Sequence, residues 1–246
     1  MSYPLCLQLN HDLHTHLAET KMIVGNGLIA RAFHTYREHP NVMIFAAGVS
    51  NSTETNPTAF KREEDLLKRS AGREAMLLYF STCAIDSVGP RTPYLRHKLE
   101  MEAQVTRIPS GHVIRLPQVV GIGGNPLNLV NFLFRHIRDG LRFPLFLNTR
   151  RNLIDANDVF AIVDELFRRG WRDRVLRVAS PYDTMVEDIV RYLEAITGRA
   201  AVFDPIQRGD LQRVDVSAVE SLIPAYRDRF PPSYVRDLIH RNFRCP

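Results

Sequence analysis

Short apolar runs separated by helical stretches most constrain the fold of this chain. From Met22 the order is "MIVG", "NVMIFAAG", "EAMLLYFST" and "HVIRLPQVVG", each pair bridged by a segment of helical periodicity. Continuous apolar runs suit strands buried on both faces, and alternation with helices predicts a parallel sheet with helices on both sides. "LIARAFHTYREH", "TAFKREEDLLKRSAG", "PLNLVNFLFRHIRDG", "ANDVFAIVDELFRRG" and "TMVEDIVRYLEAITG" read as the helices. "RFPLFL", "RRNLID" and "RVLRVAS" read as further short segments or strands. The expected architecture is an α/β, Rossmann-like, doubly wound parallel sheet. Residues 22–180 would form this domain and 181–246 a small C-terminal substrate-binding cap. Residues 1–21 would be a loosely held N-terminal extension.

At 246 residues the chain can bury a substantial core. Its net charge of +5 comes from arginines scattered over helix faces, not from the clustered basic stripe with aromatics that nucleic acid requires. Three widely spaced cysteines (Cys6, Cys83, Cys245) form no disulfide framework and point to a reducing compartment. Cys83 reads as a small buried hydrophobe. No apolar run is long enough to span a membrane and no signal peptide is evident, so cytoplasm is the default expectation. His11, His14 and His16 lack a cysteine or acidic cluster to complete a ligand set, and no metal is expected there.

"VGNGLIA" follows the first strand and opens the first helix. It sets Gly25, Gly27 and Ala30 in the pattern G-x-G-x-x-A, with Asn26, Leu28 and Ile29 between them. In that context the turn seats a dinucleotide diphosphate on backbone N–H groups at a helix start. The acidic residue that should hold the ribose about 20 positions on is missing, since that count lands on Phe45–Ala46. "TPYLRHKLEMEA" places Tyr94 and Lys98 one helical turn apart on a shared face. A neighbouring ammonium favours the phenolate, so the pair predicts a lowered phenol pKa and acid/base use. On spacing alone, a surface helix that happens to carry both residues is the plainer reading.

Five segments in order change that balance: "MIFAAGVSNS", "LLYFSTCAIDS", "TPYLRHKLEME", "VIRLPQVVGIGGNP" and "RRNLIDANDVFAIV". Together they resemble the extended short-chain dehydrogenase/reductase family, the nucleotide-sugar epimerases, dehydratases and reductases, in a shortened member. The resemblance implies NAD or NADP as cofactor and a nucleotide sugar as substrate. It makes Tyr94 the acid/base and Lys98 its tuner and a ligand of the nicotinamide ribose. Ser81 and Thr82 take the place of the family's hydroxyl pair, with Thr82 polarising the substrate oxygen. Ala46, Ala47 and Gly48 match the small residues that pass the cofactor. Pro117 and Gln118 fall on the family's "RLPNVYG" segment, and Arg151 on its "R-D-x-I-x-V-x-D" segment as a diphosphate ligand. Arg31 or Arg37 are the candidates for a 2′-phosphate. Thr82 is followed by Cys83–Ala84 and not Asp-Glu, which speaks against elimination chemistry. The family also implies a homodimer through the tyrosine helix. A ketosugar reductase in surface-polysaccharide biosynthesis is the first expectation. An epimerase that retains its NAD, or a non-catalytic binder of NAD(P) or nucleotide sugar, stays open.

Overall fold

The computed structural model describes residues 22–71, 75–87, 89–210 and 213–243. The N-terminal extension with its three histidines lies outside them. Five parallel strands form the main sheet: β1 (Ile23–Val24), β2 (Val42–Phe45), β3 (Met76–Thr82), β4 (Gly111–Leu116) and β7 (Val175–Arg177), in the spatial order β1-β2-β3-β4-β7. Side chains alternate across it, as strand geometry requires. Ile44, Leu78, Phe80 and Ile114 enter a large core on one face, while Met43, Phe45, Leu77, Tyr79 and Val113 enter a smaller core on the other.

The helices divide accordingly. The short α1 (Leu28–Ala32) and α5 (Ala156–Arg168) cover the large core. The helices α2 (Pro57–Ser70) and α3 (Pro93–Arg107) cover the small one through Leu67, Met101 and Val105. Each of the latter starts on a capped turn with proline at its first position: Asn56 accepts from the Thr58 N–H and Thr92 from the Leu95 N–H. The expected first helix is broken, with α1 giving way after Ala32 to a 3-10 turn at His34–Tyr36.

The step from β1 through α1 to β2 therefore runs over the opposite face from the two that follow it, although the strand order continues in one direction. Its crossover has the opposite hand to its neighbours, against the strong preference for one hand. Among the described residues β1 is the outermost strand. On that edge the described part of the sheet stops at β1.

Two predicted segments are redrawn. "HVIRLPQVVG" is two strands, because Pro117 has no N–H to give a ladder and breaks the run between β4 and β5 (Gln118–Val120). "RFPLFL" and "RRNLID" are one strand, β6 (Phe143–Asp155). It pairs in parallel with β5 and with β9 (Phe203–Asp210), and antiparallel with β8 (Asp183–Met185). The remaining helices are α4 (Leu129–Asp139), α6 (Val186–Thr197), α7 (Ser217–Leu222) and α8 (Tyr234–Asn242). Val219, Leu238 and Ile239 from the last two share the large core with Ile44 and Leu78.

Tyr234 ties α8 to the sheet. Its hydroxyl accepts from the buried Asp155 N–H at 2.9 Å and donates to Asp158 at 2.6 Å. Tyr234→Phe strands that N–H, and urea denaturation is expected to read a loss of about 1–3 kcal/mol.

Candidate active site

The connections leaving β1 and β2 turn to opposite faces, and open α/β sheets bind ligands outside the carboxyl ends of such strands. The Gly25–Gly27 turn stands at this end of β1. Gly25 has φ +122°, and a Cβ on it would come within 2.5 Å of the Ala46 carbonyl oxygen, so only glycine lets β1 approach β2 here. Nothing lies within 4 Å of where a Gly27 Cβ would be. Gly27 precedes α1 as its N-cap, with extended backbone. The half-buried Ala46 and Ala47 follow β2 at the same end. The loop 121–125 borders the turn: Leu28 packs where a Gly121 side chain would stand, and Asn125 donates to the Ser50 hydroxyl at 3.0 Å. Arg31 binds the Asn26, Ile122 and Gly123 carbonyls at 2.9–3.2 Å.

Thr82 and Tyr94 meet at the end of β3. The buried Tyr94 phenol lies beside the Thr82 side chain, whose hydroxyl favours the phenolate and whose oxygen accepts the Ala84 N–H at 3.1 Å. Ser81 points to the other face of the strand, and its buried hydroxyl has no hydrogen-bond partner. Of the expected hydroxyl pair, only Thr82 joins the tyrosine.

Lys98 departs from expectation. Its ammonium is buried and donates to Glu63 Oε1 at 3.0 Å and to the Tyr79 hydroxyl at 2.9 Å. It stands 6.0 Å from the centroid of the Tyr94 ring. Glu63, with no exposed surface, also accepts from the Tyr79 hydroxyl at 2.6 Å, from the Val49 N–H at 2.6 Å and from His97 Nε2 at 3.0 Å. Gly48 belongs to this cluster: a Cβ there would sit 2.7 Å from Lys98 Nζ and 2.9 Å from Glu63 Oε1. Its bare Cα makes room for the ion pair.

The electrostatics follow from this packing. Burial raises the Tyr94 pKa, the Thr82 bond lowers it and the Glu63 charge raises it, leaving it pushed up to about 12. The expected lowering by Lys98 does not occur, because Glu63 neutralises that ammonium. Burial pulls Lys98 below its ordinary value, with Glu63 opposing. For Glu63, burial acts upward, but Lys98, His97, Tyr79 and the Val49 N–H together outweigh it and bring the carboxyl down to about 2. Burial pushes the Cys83 thiol up to about 12, so it is no thiolate nucleophile at neutral pH.

Pro117 leads into β5, where the half-buried Gln118 pairs in register with Leu153 of β6. Arg151 lies two residues earlier on β6, and its guanidinium donates to the Arg150 carbonyl at 2.7 Å. Asn152 beside it is buried and holds Ser180 through both its carbonyl and its N–H. Glu63, Tyr79 and His97 were missed in the sequence. One signal was present: Glu63 stands four residues before Leu67 and seven before Ser70, on the buried stripe of α2.

No family model matches the chain, and no curated protein is similar to it in sequence. Solved structures do share its fold. RMD from Pseudomonas aeruginosa, solved with NADPH, is 18% identical with a TM-score of 0.60, over 88% of this chain and 86% of that one. UDP-glucose 4-epimerase from Thermotoga maritima, solved with UDP-glucose, is 16% identical (TM-score 0.60; 80% and 76% covered). UDP-glucuronic acid 4-epimerase from Bacillus cereus, solved with UDP-glucuronic acid and NAD, is 14% identical (TM-score 0.63; 86% and 76% covered). The fold is that of the extended short-chain dehydrogenases/reductases, as the sequence segments implied. The expected shortening of the chain as a whole is not evident at this coverage. No helix among the described residues is long and apolar enough to cross a membrane.

The Glu63 carboxyl carries a stability dependence on pH. Its folded value lies below its ordinary 4.5, so its contribution is full above about pH 4.5 and is lost as pH falls through about 2. The shift corresponds to about 3 kcal/mol. Chemical denaturation between pH 2 and 6 is expected to show this acid slope, flattened in Glu63→Gln.

Proposed function

We propose that the protein is a nicotinamide-dependent oxidoreductase or epimerase acting on a nucleotide-activated sugar, with reduction of a ketosugar as the first reading. One observation carries it: Tyr94 lies beside the Thr82 side chain at the carboxyl end of β3, on the same end of the sheet as the Gly25–Gly27 turn. NAD and NADPH in the neighbouring structures, and the UDP-sugars held by two of them, fit the same reading. A role in surface-polysaccharide biosynthesis and a homodimer belong to it through the sequence resemblance.

The residues suit the diphosphate and nicotinamide end of such a cofactor. Gly27 leaves open space at the turn, and the small Ala46 and Ala47 permit close approach. Pro117 would flank the nicotinamide, with Gln118 and Arg151 toward the sugar nucleotide. The adenosine ribose lacks its acidic partner, and β1 has no described strand outside it.

A carbonyl oxygen entering between Thr82 and Tyr94 would accept hydrogen bonds from both hydroxyls. Thr82 then polarises it, and Tyr94 delivers the proton that turns it into an alcohol. A phenol with its pKa near 12 stays protonated throughout the working range, which suits donation better than abstraction. Lys98, matched by Glu63, keeps the tyrosine's surroundings close to neutral. The bound nicotinamide supplies the hydride.

A second reading, a non-catalytic binder of NAD(P) or nucleotide sugar, draws support from the saturation of Lys98 by Glu63 and Tyr79. Calorimetry with NADH and NADPH, followed by a screen of ketosugar nucleotides for hydride transfer, separates them. Gly27→Val should cost only about 1 kcal/mol, because its side chain meets open space among the described residues while valine is a poorer N-cap than glycine. The same substitution should weaken cofactor binding at least tenfold. Tyr94→Phe should bind cofactor normally and lose roughly 10²–10⁴-fold in turnover. Reduction by the wild type should show no Tyr94 titration below about pH 11, one unit under its pKa of about 12. Binding without turnover of any sugar would favour the second reading, and no binding of either cofactor would sink the first.

A further inference from the structure

A groove of about 620 Å³ runs between the N-terminal turns of α2 and α3, on the outer side of these helices. Its walls include Phe60, Glu64, His97 and Glu100. A ring nitrogen of His97 and one carboxylate oxygen each from Glu64 and Glu100 all lie within 4.8 Å of one another. His97 and Glu100 are three residues apart and so share a face of α3, while Glu64 reaches across from α2.

The histidine is held as a metal-bound histidine is held. It is 98% buried by its neighbours, with 2% of its surface exposed, and its ring stacks on Phe60 at 4.5 Å between centroids. Nε2 lies 3.0 Å from Glu63 Oε2. A carboxylate only accepts, so Nε2 carries the proton and, in the neutral ring, Nδ1 keeps its lone pair. Nδ1 has no hydrogen-bond partner among the described residues. A carboxylate behind the far nitrogen is the arrangement that fixes the tautomer and raises the basicity of metal-ligating histidines. The cations on the groove wall are engaged elsewhere: Lys61 pairs with Asp65, and Arg96 donates to the Arg91 carbonyl at 2.8 Å.

We propose that His97, Glu64 and Glu100 form a site for a first-row divalent cation, with water from the groove completing its coordination. One imidazole and two carboxylates make a borderline donor set, suited to Zn²⁺ or Co²⁺. Glu63 is its positioning residue. Because Glu63 also holds Lys98, occupancy of the groove is joined through one carboxylate to the residue one turn from Tyr94. The proposal does not depend on the nicotinamide reading.

The test is titration of the full chain with CoCl₂, read by visible absorption and calorimetry. Three proteins are compared: wild type, the double variant Glu64→Gln/Glu100→Gln, and a triple variant with His11, His14 and His16 changed to Asn. Both glutamates border open groove, so their replacement leaves the core alone. The expected result is one Co²⁺ per chain with d–d bands in the wild type and the triple variant, and at least tenfold weaker binding in the double variant. Absence of binding, loss of it in the triple variant, or binding unchanged in the double variant overturns the proposal.

Discussion

A carboxylate with no exposed surface organises this end of the molecule. Burying the Glu63 charge is costly unless each of its lone pairs is met. Here the donors come from four places: the Val49 N–H after β2, Tyr79 on β3, and His97 and Lys98 on α3. Each partner is itself buried or part of the backbone, so none can leave without stranding a charge. The cluster fixes α2 and α3 against the sheet at the level where β2 and β3 end. It also dictates Gly48, since any side chain there would displace the ammonium or the carboxylate.

The same cluster changes the chemistry expected of a Tyr-x-x-x-Lys pair. An ammonium lowers a neighbouring phenol's pKa only while its charge is unbalanced. Glu63 balances it, and burial then governs Tyr94 and holds it in the protonated form. The phenol stays protonated beside Thr82, and the phenolate is disfavoured.

The place where a ligand would lie beside these residues follows from the connections of the sheet. Ligands bind open α/β sheets where neighbouring connections diverge to opposite faces. In this chain the strand order never reverses among the described residues, yet the connections diverge, because α1 lies on the face opposite to α2 and α3. Among the described residues no strand beyond β1 carries a ribose-binding acid. The loop 121–125, bound by Arg31 and by the hydrogen bond to Ser50, supplies a border in that region.

Local pattern was enough to read the parallel strands and the Gly25–Gly27 turn, because apolar runs and fixed offsets encode them directly; the role of Thr82 came only from the family resemblance. It also carried the absence of an acid after the second strand. Local pattern could not place the partners of Lys98. Glu63 lies 35 residues away and Tyr79 19 residues away, and only packing α2 and α3 onto one face of the sheet brings them together. The joining of two short segments into β6 was likewise decided by which strands were available to pair, whereas the division of "HVIRLPQVVG" follows from Pro117 itself. Sequence by itself determined the class of fold and the residues able to do chemistry. Tertiary structure alone decided their charge states, because a pKa depends on burial and on neighbours that are distant along the chain.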